Sequence, residues 1–148
     1  MYDQPRANSH QSHMTFKEML ERVRYEGAYP TLERAAEAVH QVLAALGRQL
    51  TGDERVDLAQ CLPLEAALAL TTSVPDIEPL TGWGFVKDLA DRIGATPATA
   101  RWDIGAVLVT VARLTGPALL ARILHQLPDG YALLFGQAEL RRPEPAAA

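Results

Sequence analysis

One stretch of this chain repeats another at an offset of 65 residues, and that repeat constrains the fold more than any other feature. Val39 falls on Ile104, Val42 on Val107, Leu43 on Leu108 and Leu46 on Val111. Further along, Leu58 falls on Ile123, Leu62-Pro63 on Leu127-Pro128, and Leu68 on Leu133. Ahead of these columns the offset becomes 69, pairing Phe16 with Phe85 and Leu20 with Leu89; the four extra residues lie around Tyr25 to Tyr29. The matched side chains recur every three or four positions, the spacing of one face of an α-helix. A repeated unit rarely buries its own apolar face, so the two units are expected to pack on each other.

The punctuation agrees. Thr15 with Glu18 fits a capping box, followed by Phe16, Met19, Leu20 and Val23 at helical spacing. Pro30 suits a first helical position, and a long helix is expected over residues 30–50. Thr51 with Glu54 is a second candidate box, opening a short helix with Val56, Leu58, Ala59 and Leu62 as its apolar residues. Pro63 opens another, and residues 72–84, with two prolines and two glycines, read as the main linker. The series then restarts at Phe85, stops at Gly94, and resumes with a Thr96 cap, Pro97 and a long helix over 97–115. Gly116-Pro117 ends that helix, and a Leu119–Leu127 stripe and a short Tyr131–Phe135 segment close the series. The run Ile104–Val111 is rich in β-branched residues and reads as a strand in isolation. Its counterpart, VHQVLAAL, is alanine-rich and favours a helix, and the repeat carries that reading across.

With 148 residues, 48% of them apolar, the chain has material for one core. Residues 1–14 and 141–148 lack any apolar period and are expected to be a disordered arm and tail around one helical domain of residues 15–140. Met14 is an alternative start to Met1. No run approaches the ~20 apolar residues of a membrane span, and the lone Cys61 demands no oxidising compartment. A cytoplasmic protein away from membranes is the expectation. Residues 15–80 carry six basic and eleven acidic side chains, a balance unsuited to a phosphate-binding surface.

The layout is Phe-x-x-x-Leu, a long AVxxVL-type helix, a short helix ending in Leu-Pro and a short apolar helix, all given twice. Its carriers are Phe16, Leu20, the AEAVHQVLAAL run and Leu62-Pro63, then Phe85, Leu89, the GAVLVTVARL run and Leu127-Pro128. This layout resembles the bacterial domain-of-unknown-function family 2267 over about residues 15–136. The resemblance implies an all-helical duplicated fold. It implies no catalytic residues.

The stock for chemistry is short: one asparagine, three serines, two lysines, four histidines. His10 and His13 have metal-ligand spacing but no third ligand nearby, so they read as bystanders. His40 has Glu37 as a near helical neighbour, and a contact between them is a possible orienting pair; a partly exposed structural histidine is the plainer reading. Cys61 and His125 approach one another only if the halves pack by a pseudo-two-fold, and burial makes such a thiol inert. Gly82-Trp83-Gly84 begins like a phosphate loop, but Lys87 stands where the next glycine belongs and no strand precedes it. Residues 94–114 have a turn-then-helix layout, but IGAVLVTVARL is too apolar to read bases.

What remains is Trp83, Arg101 and Trp102 as surface-binding candidates. Trp102 beside Arg101 suits a recognition surface. The plainer reading is a ring covering the end of the bundle. The sequence therefore predicts an all-α duplicated helical bundle, two four-helix repeats (about residues 15–71 and 83–136) around a shared core. The expected role is a non-enzymatic module for protein-partner binding or self-association. No catalytic, cofactor or metal residues are assigned, and no nucleic-acid partner is expected. The alternative is a small regulatory domain binding an apolar or anionic ligand between the repeats.

Overall fold

The computed structural model describes residues 14–138. Among them the secondary structure is entirely helical: α1 (Phe16–Gly27), α2 (Leu32–Gly47), α3 (Gly52–Cys61), α4 (Leu64–Thr71), α5 (Gly82–Ile93), α6 (Pro97–Gln126) and α7 (Tyr131–Leu134). The region with strand character, Ile104–Val111, lies inside α6. The pair His10 and His13, all of the N-terminal arm but Met14, and the tail from residue 139 lie outside the described residues.

Caps explain most of the boundaries. The Thr15 hydroxyl accepts from the Glu18 N–H at 3.0 Å and the Glu18 carboxylate accepts from the Thr15 N–H at 2.9 Å, so the box of α1 is complete. Thr96 caps α6 through the Thr99 N–H at 3.1 Å, with Pro97 in the first turn. α2 starts two residues after Pro30, because the Thr31 hydroxyl accepts from the Arg34 N–H at 3.1 Å. The Thr51–Glu54 box does not form. Gln126 takes its place: its Oε1 accepts from the Thr51 N–H at 2.8 Å, while its Nε2 donates to the Thr51 carbonyl at 3.0 Å and to Glu54 at 2.8 Å. The linker is shorter than expected, because Thr81 caps through the Gly84 N–H at 3.1 Å and makes Gly82-Trp83-Gly84 the first turn of α5.

α6 joins two of the expected helices into one bent element. Gly116 sits at φ 78°, ψ 167°, a conformation that favours glycine, and Pro117 supplies no N–H at the break. By length and composition alone this helix is sufficient to cross a membrane, contrary to the sequence expectation. Here its apolar face is the surface on which α1, α2, α5 and α7 pack.

The core lies where α2 crosses α6. Val39, Val42, Leu43 and Leu46 from α2 and Ile104, Val107, Leu108 and Val111 from α6 are all fully buried. α1 and α5 flank both long helices, α4 lies on α2, and α7 lies on α6. Met14, the last residue of the expected arm, is half-buried against this core. Three predicted stripe residues on the short helices, Val56, Leu68 and Leu133, face solvent instead.

Arg55 of α3 ties the first half together. Its guanidinium donates to the carbonyls of Gly47, of Leu50 at 3.0 Å, of Thr71 at 3.2 Å and of Ser73 at 2.5 Å. These are the carbonyls left unpaired around the C-termini of α2 and α4. The two ends meet closely because a Cβ on Gly47 would stand 2.0 Å from the Leu70 carbonyl oxygen.

Candidate functional site

The three consecutive residues Arg101, Trp102 and Asp103 point in three directions from the first turns of α6. Asp103 falls on the buried stripe between Ala100 and Val107 and is only 1% exposed. A carboxylate there must be paired or it is strongly destabilising. Two residues of the first half supply the partners. The Tyr29 hydroxyl donates to Oδ1 at 2.5 Å. Arg34 Nη2 donates to Oδ1 at 3.2 Å and to Oδ2 at 3.0 Å, and the same guanidinium lies 4.9 Å from the centroid of the Tyr29 ring. Its other terminal nitrogen, Nη1, is buried without a hydrogen bond, with Glu37 Oε1 at 3.6 Å.

The local chain is shaped for this cluster. A Cβ on Gly27 would stand 2.3 Å from the Tyr29 ring, so glycine lets the ring fold back over the end of α1. The left-handed turn at that end is then made by Ala28, at φ 53°, ψ 42°. Burial, the bond to Asp103 and its charge push the Tyr29 phenol well above the ordinary tyrosine value, and Arg34 is raised chiefly by its hydrogen bond to Asp103. The phenol and the guanidinium therefore both keep their protons at neutral pH. Neither is poised to exchange one with a substrate.

Trp102 stands on this foundation. Its Nε1 donates to the Gly27 carbonyl at 2.8 Å, fixing the ring against the end of α1, while the residue stays 57% exposed. The ring lies against the end of α1 and also offers a face to solvent. Arg101 and Trp102 line a shallow cleft of about 530 Å³, with Glu26 from α1 and Leu133, Leu134 and Gly136 around α7. Glu26 is paired with Arg113 at 3.5 Å, whereas Arg101 has no carboxylate partner among the described residues.

Trp83 is not part of this cleft. It is 61% exposed on α5, with Lys87 Nζ at 5.9 Å from its ring. The Glu37–His40 contact is also absent. Glu37 turns toward Arg34, while His40 Nδ1 donates to the Ala36 carbonyl at 2.8 Å and its ring meets Phe16 edge-on at 5.9 Å. No hydrogen bond joins Cys61 to His125 among the described residues; burial, then the Asp57 charge, push the Cys61 thiol up. Among the described residues no group of three His, Cys, Asp or Glu side chains is placed to hold a metal ion.

A larger, open groove of about 1540 Å³ lies between α1, α3 and the bend of α6. The arginines along it are occupied: Arg122 donates to Glu54 at 3.2 Å and to Asp57 at 2.8 Å, and Arg113 holds Glu26.

Residues 16–134 match the family model described as Uncharacterized conserved protein (DUF2267). The chain belongs to this family. No curated protein matches it in sequence. The DUF2267 match begins at the first residue of α1 and ends at the last residue of α7, so it spans all seven helices of the described residues. Within this DUF2267 fold, the Tyr29–Arg34–Asp103 cluster is the feature that sequence reasoning missed. The one signal was Asp103 itself, a charge set on an otherwise apolar stripe.

Proposed function

We propose that this chain is a non-enzymatic, cytoplasmic helical module that binds a protein partner, with self-association as its companion role. The observation that carries the reading is the mounting of Trp102. Its polar atom is satisfied internally and its ring is held in one place, so a partner gains apolar contact without paying to order the side chain. Tryptophan and arginine are the residues most enriched at the energetic centres of protein interfaces. Arg101 lines the same cleft without a carboxylate partner among the described residues. The proton-retaining Tyr29 and Arg34 support a structural rather than catalytic role for the buried cluster.

Counting the two arms of the bent α6 separately, we read the helices as two four-helix repeats around a shared core. Supporting this, α1 and α5 are each 12 residues long, start at a capping threonine and end at a left-handed residue. The closing Leu-Pro steps match as well, with Leu62 at ψ 151° and Leu127 at ψ 152°. The alternative reading, an apolar or anionic ligand between the halves, wants unpaired arginines converging on an enclosed pocket. Arg113 and Arg122 face an open groove and already hold carboxylates.

The test is photo-crosslinking in cells from a reactive residue placed at Ala98, an exposed position lining the cleft. A discrete protein adduct that disappears on Trp102→Ala supports the proposal. Absence of any protein adduct, or an adduct indifferent to Trp102→Ala, contradicts it.

A further inference from the structure

We infer that the Trp102 cleft takes a short extended segment of its partner, carrying a carboxylate and an apolar side chain two residues apart. This rests on the proposed binding role of that cleft and adds to it the chemistry of the occupant.

The floor of the cleft is one face of α6. Ala98, Arg101, Gly105 and Val109 line it at spacings of three and four residues, so it runs about 16 Å along the helix. Leu133 and Gly136 line the side toward α7, and a Cβ on Gly136 would stand 2.8 Å from Val109, so wall and floor meet at that end. An extended chain advances about 3.3 Å per residue, so the floor has the length of about five residues.

Gly105 fixes where the charge sits. Glycine weakens the interior of a helix relative to alanine, and no other element packs closely enough on Gly105 to require it. Among the described residues, setting aside its chain neighbours and the backbone of α6, one atom lies within 4 Å of the place its Cβ would take. That atom is Arg101 Nη1, at 2.9 Å. The glycine therefore lets the Arg101 guanidinium lie back across the floor.

The carboxylates at the cleft and on the turns behind it are held. Glu26 has Arg113 at 3.5 Å, while Arg34 holds Asp103 at 3.0 Å and Glu37 at 3.6 Å. Arg101 has no carboxylate partner among the described residues, so the cleft keeps one positive charge in a chain whose net charge is −4. That charge calls for a carboxylate. A phosphate backbone would meet one open guanidinium and the repulsion of the whole chain. The guanidinium over Gly105 stands one helical turn, about 6 Å, from Val109. In an extended chain, residues two apart point the same way and lie about 7 Å apart. A carboxylate on Arg101 therefore places the side chain two residues away at the apolar end, where Val109 and the exposed Leu133 line the cleft.

Selection from a random-peptide library on the full chain tests this. Binders should be enriched in Asp or Glu two residues from Leu, Ile or Phe. A synthetic peptide of the enriched sequence is then titrated by Trp102 fluorescence in a Trp83→Phe background. Arg101→Glu should weaken it by at least about tenfold, because like charges then meet in the cleft. Replacing the acid of the peptide by lysine should restore binding to that variant. Gly105→Ala favours the helix yet should also weaken binding, because the new Cβ displaces the guanidinium; it serves if Arg101→Glu loses helical circular dichroism. Binders that need Trp102 but show no acid preference, or that ignore both the Arg101 and Gly105 changes, overturn this inference and leave the Trp102 reading standing. A library that yields no binder lost on Trp102→Ala overturns both. Displacement of the peptide by a single-stranded oligonucleotide overturns the choice of a carboxylate.

Discussion

Arg34 and Asp103, 69 residues apart in sequence, are joined through one nitrogen, with Nη2 at 3.0 Å from Oδ2 and 3.2 Å from Oδ1. The bond ties the first turn of α2 to the first turns of α6. It acts with the buried Ala100–Val111 stripe of α6, which leaves Arg101 and Trp102 on the exposed side. Asp103→Ala leaves the guanidinium without its main partner. The expected cost is about 3 kcal/mol, the low end for a broken buried pair, because Arg34 keeps some contact with water. Tyr29→Phe should cost less, about 1–2 kcal/mol, because Arg34 still serves the carboxylate. Urea unfolding ranks the two; a larger loss for Tyr29→Phe would contradict this division of roles.

Tyr29 and Tyr131 both hold their protons above the ordinary tyrosine value, each chiefly through burial. Above pH ~10 the unfolded chain releases these protons and the folded chain keeps them, so stability must fall as pH rises. The loss is at most about 1.4 kcal/mol per pH unit for each phenol. These two groups contribute no slope well below pH ~10. Unfolding followed across the alkaline range should show a shallower decline in Tyr29→Phe than in wild type, with Tyr131 supplying what is left. An unchanged slope would remove Tyr29 from the account.

Leu43 and Leu108 occupy the same column of the two series and are both fully buried. Leu43→Ala and Leu108→Ala should each cost about 2–5 kcal/mol, while Glu33→Ala on the exposed face of α2 should cost far less. Thermal or urea denaturation of the three variants reads this directly, and similar losses in all three would refute the stripe assignment.

Ala28 holds a left-handed conformation at φ 53° as the C-cap of α1, where its N–H closes onto the Arg24 and Tyr25 carbonyls. Ala28→Gly removes the Cβ clash of that conformation. It is expected to stabilise the protein by up to about 1 kcal/mol, offset in part by the greater freedom of glycine in the unfolded chain. A lower melting midpoint in this variant would show that the turn is not strained.

What was legible in the sequence was local or periodic. The Val39–Leu46 and Ile104–Val111 stripes show the long helices, and the Thr15 and Thr96 caps need only residues three positions away. Pro30 misled because proline suits a helix start, yet Thr31 has the hydroxyl that closes the turn. The Thr51–Glu54 box failed for a different reason: Gln126, 75 residues on from Thr51, offers the same backbone a better-placed amide. Arg55 and Asp103 were opaque because their partners are distant carbonyls and side chains that no spacing rule connects. Val56, Leu68 and Leu133 lie on helices of three turns or fewer, where a stripe has too few members to fix which side is buried. The apolar character of Leu68 was read correctly; its exposure needed the fold.

Gly27, Tyr29 and Arg34 come from the first half, and Trp102 and Asp103 from the second. The binding face is therefore proposed to exist only where the halves share a core. The most direct measurement is the thermal melting of a fragment of residues 15–80 beside the whole chain. Without α6, the Val39–Leu46 stripe loses its cover. The fragment should show weak helical signal with no cooperative transition, or should self-associate through the bared face. A monomeric fragment that melts cooperatively would mean that each half is its own domain, and would contradict the shared core on which the proposed site depends.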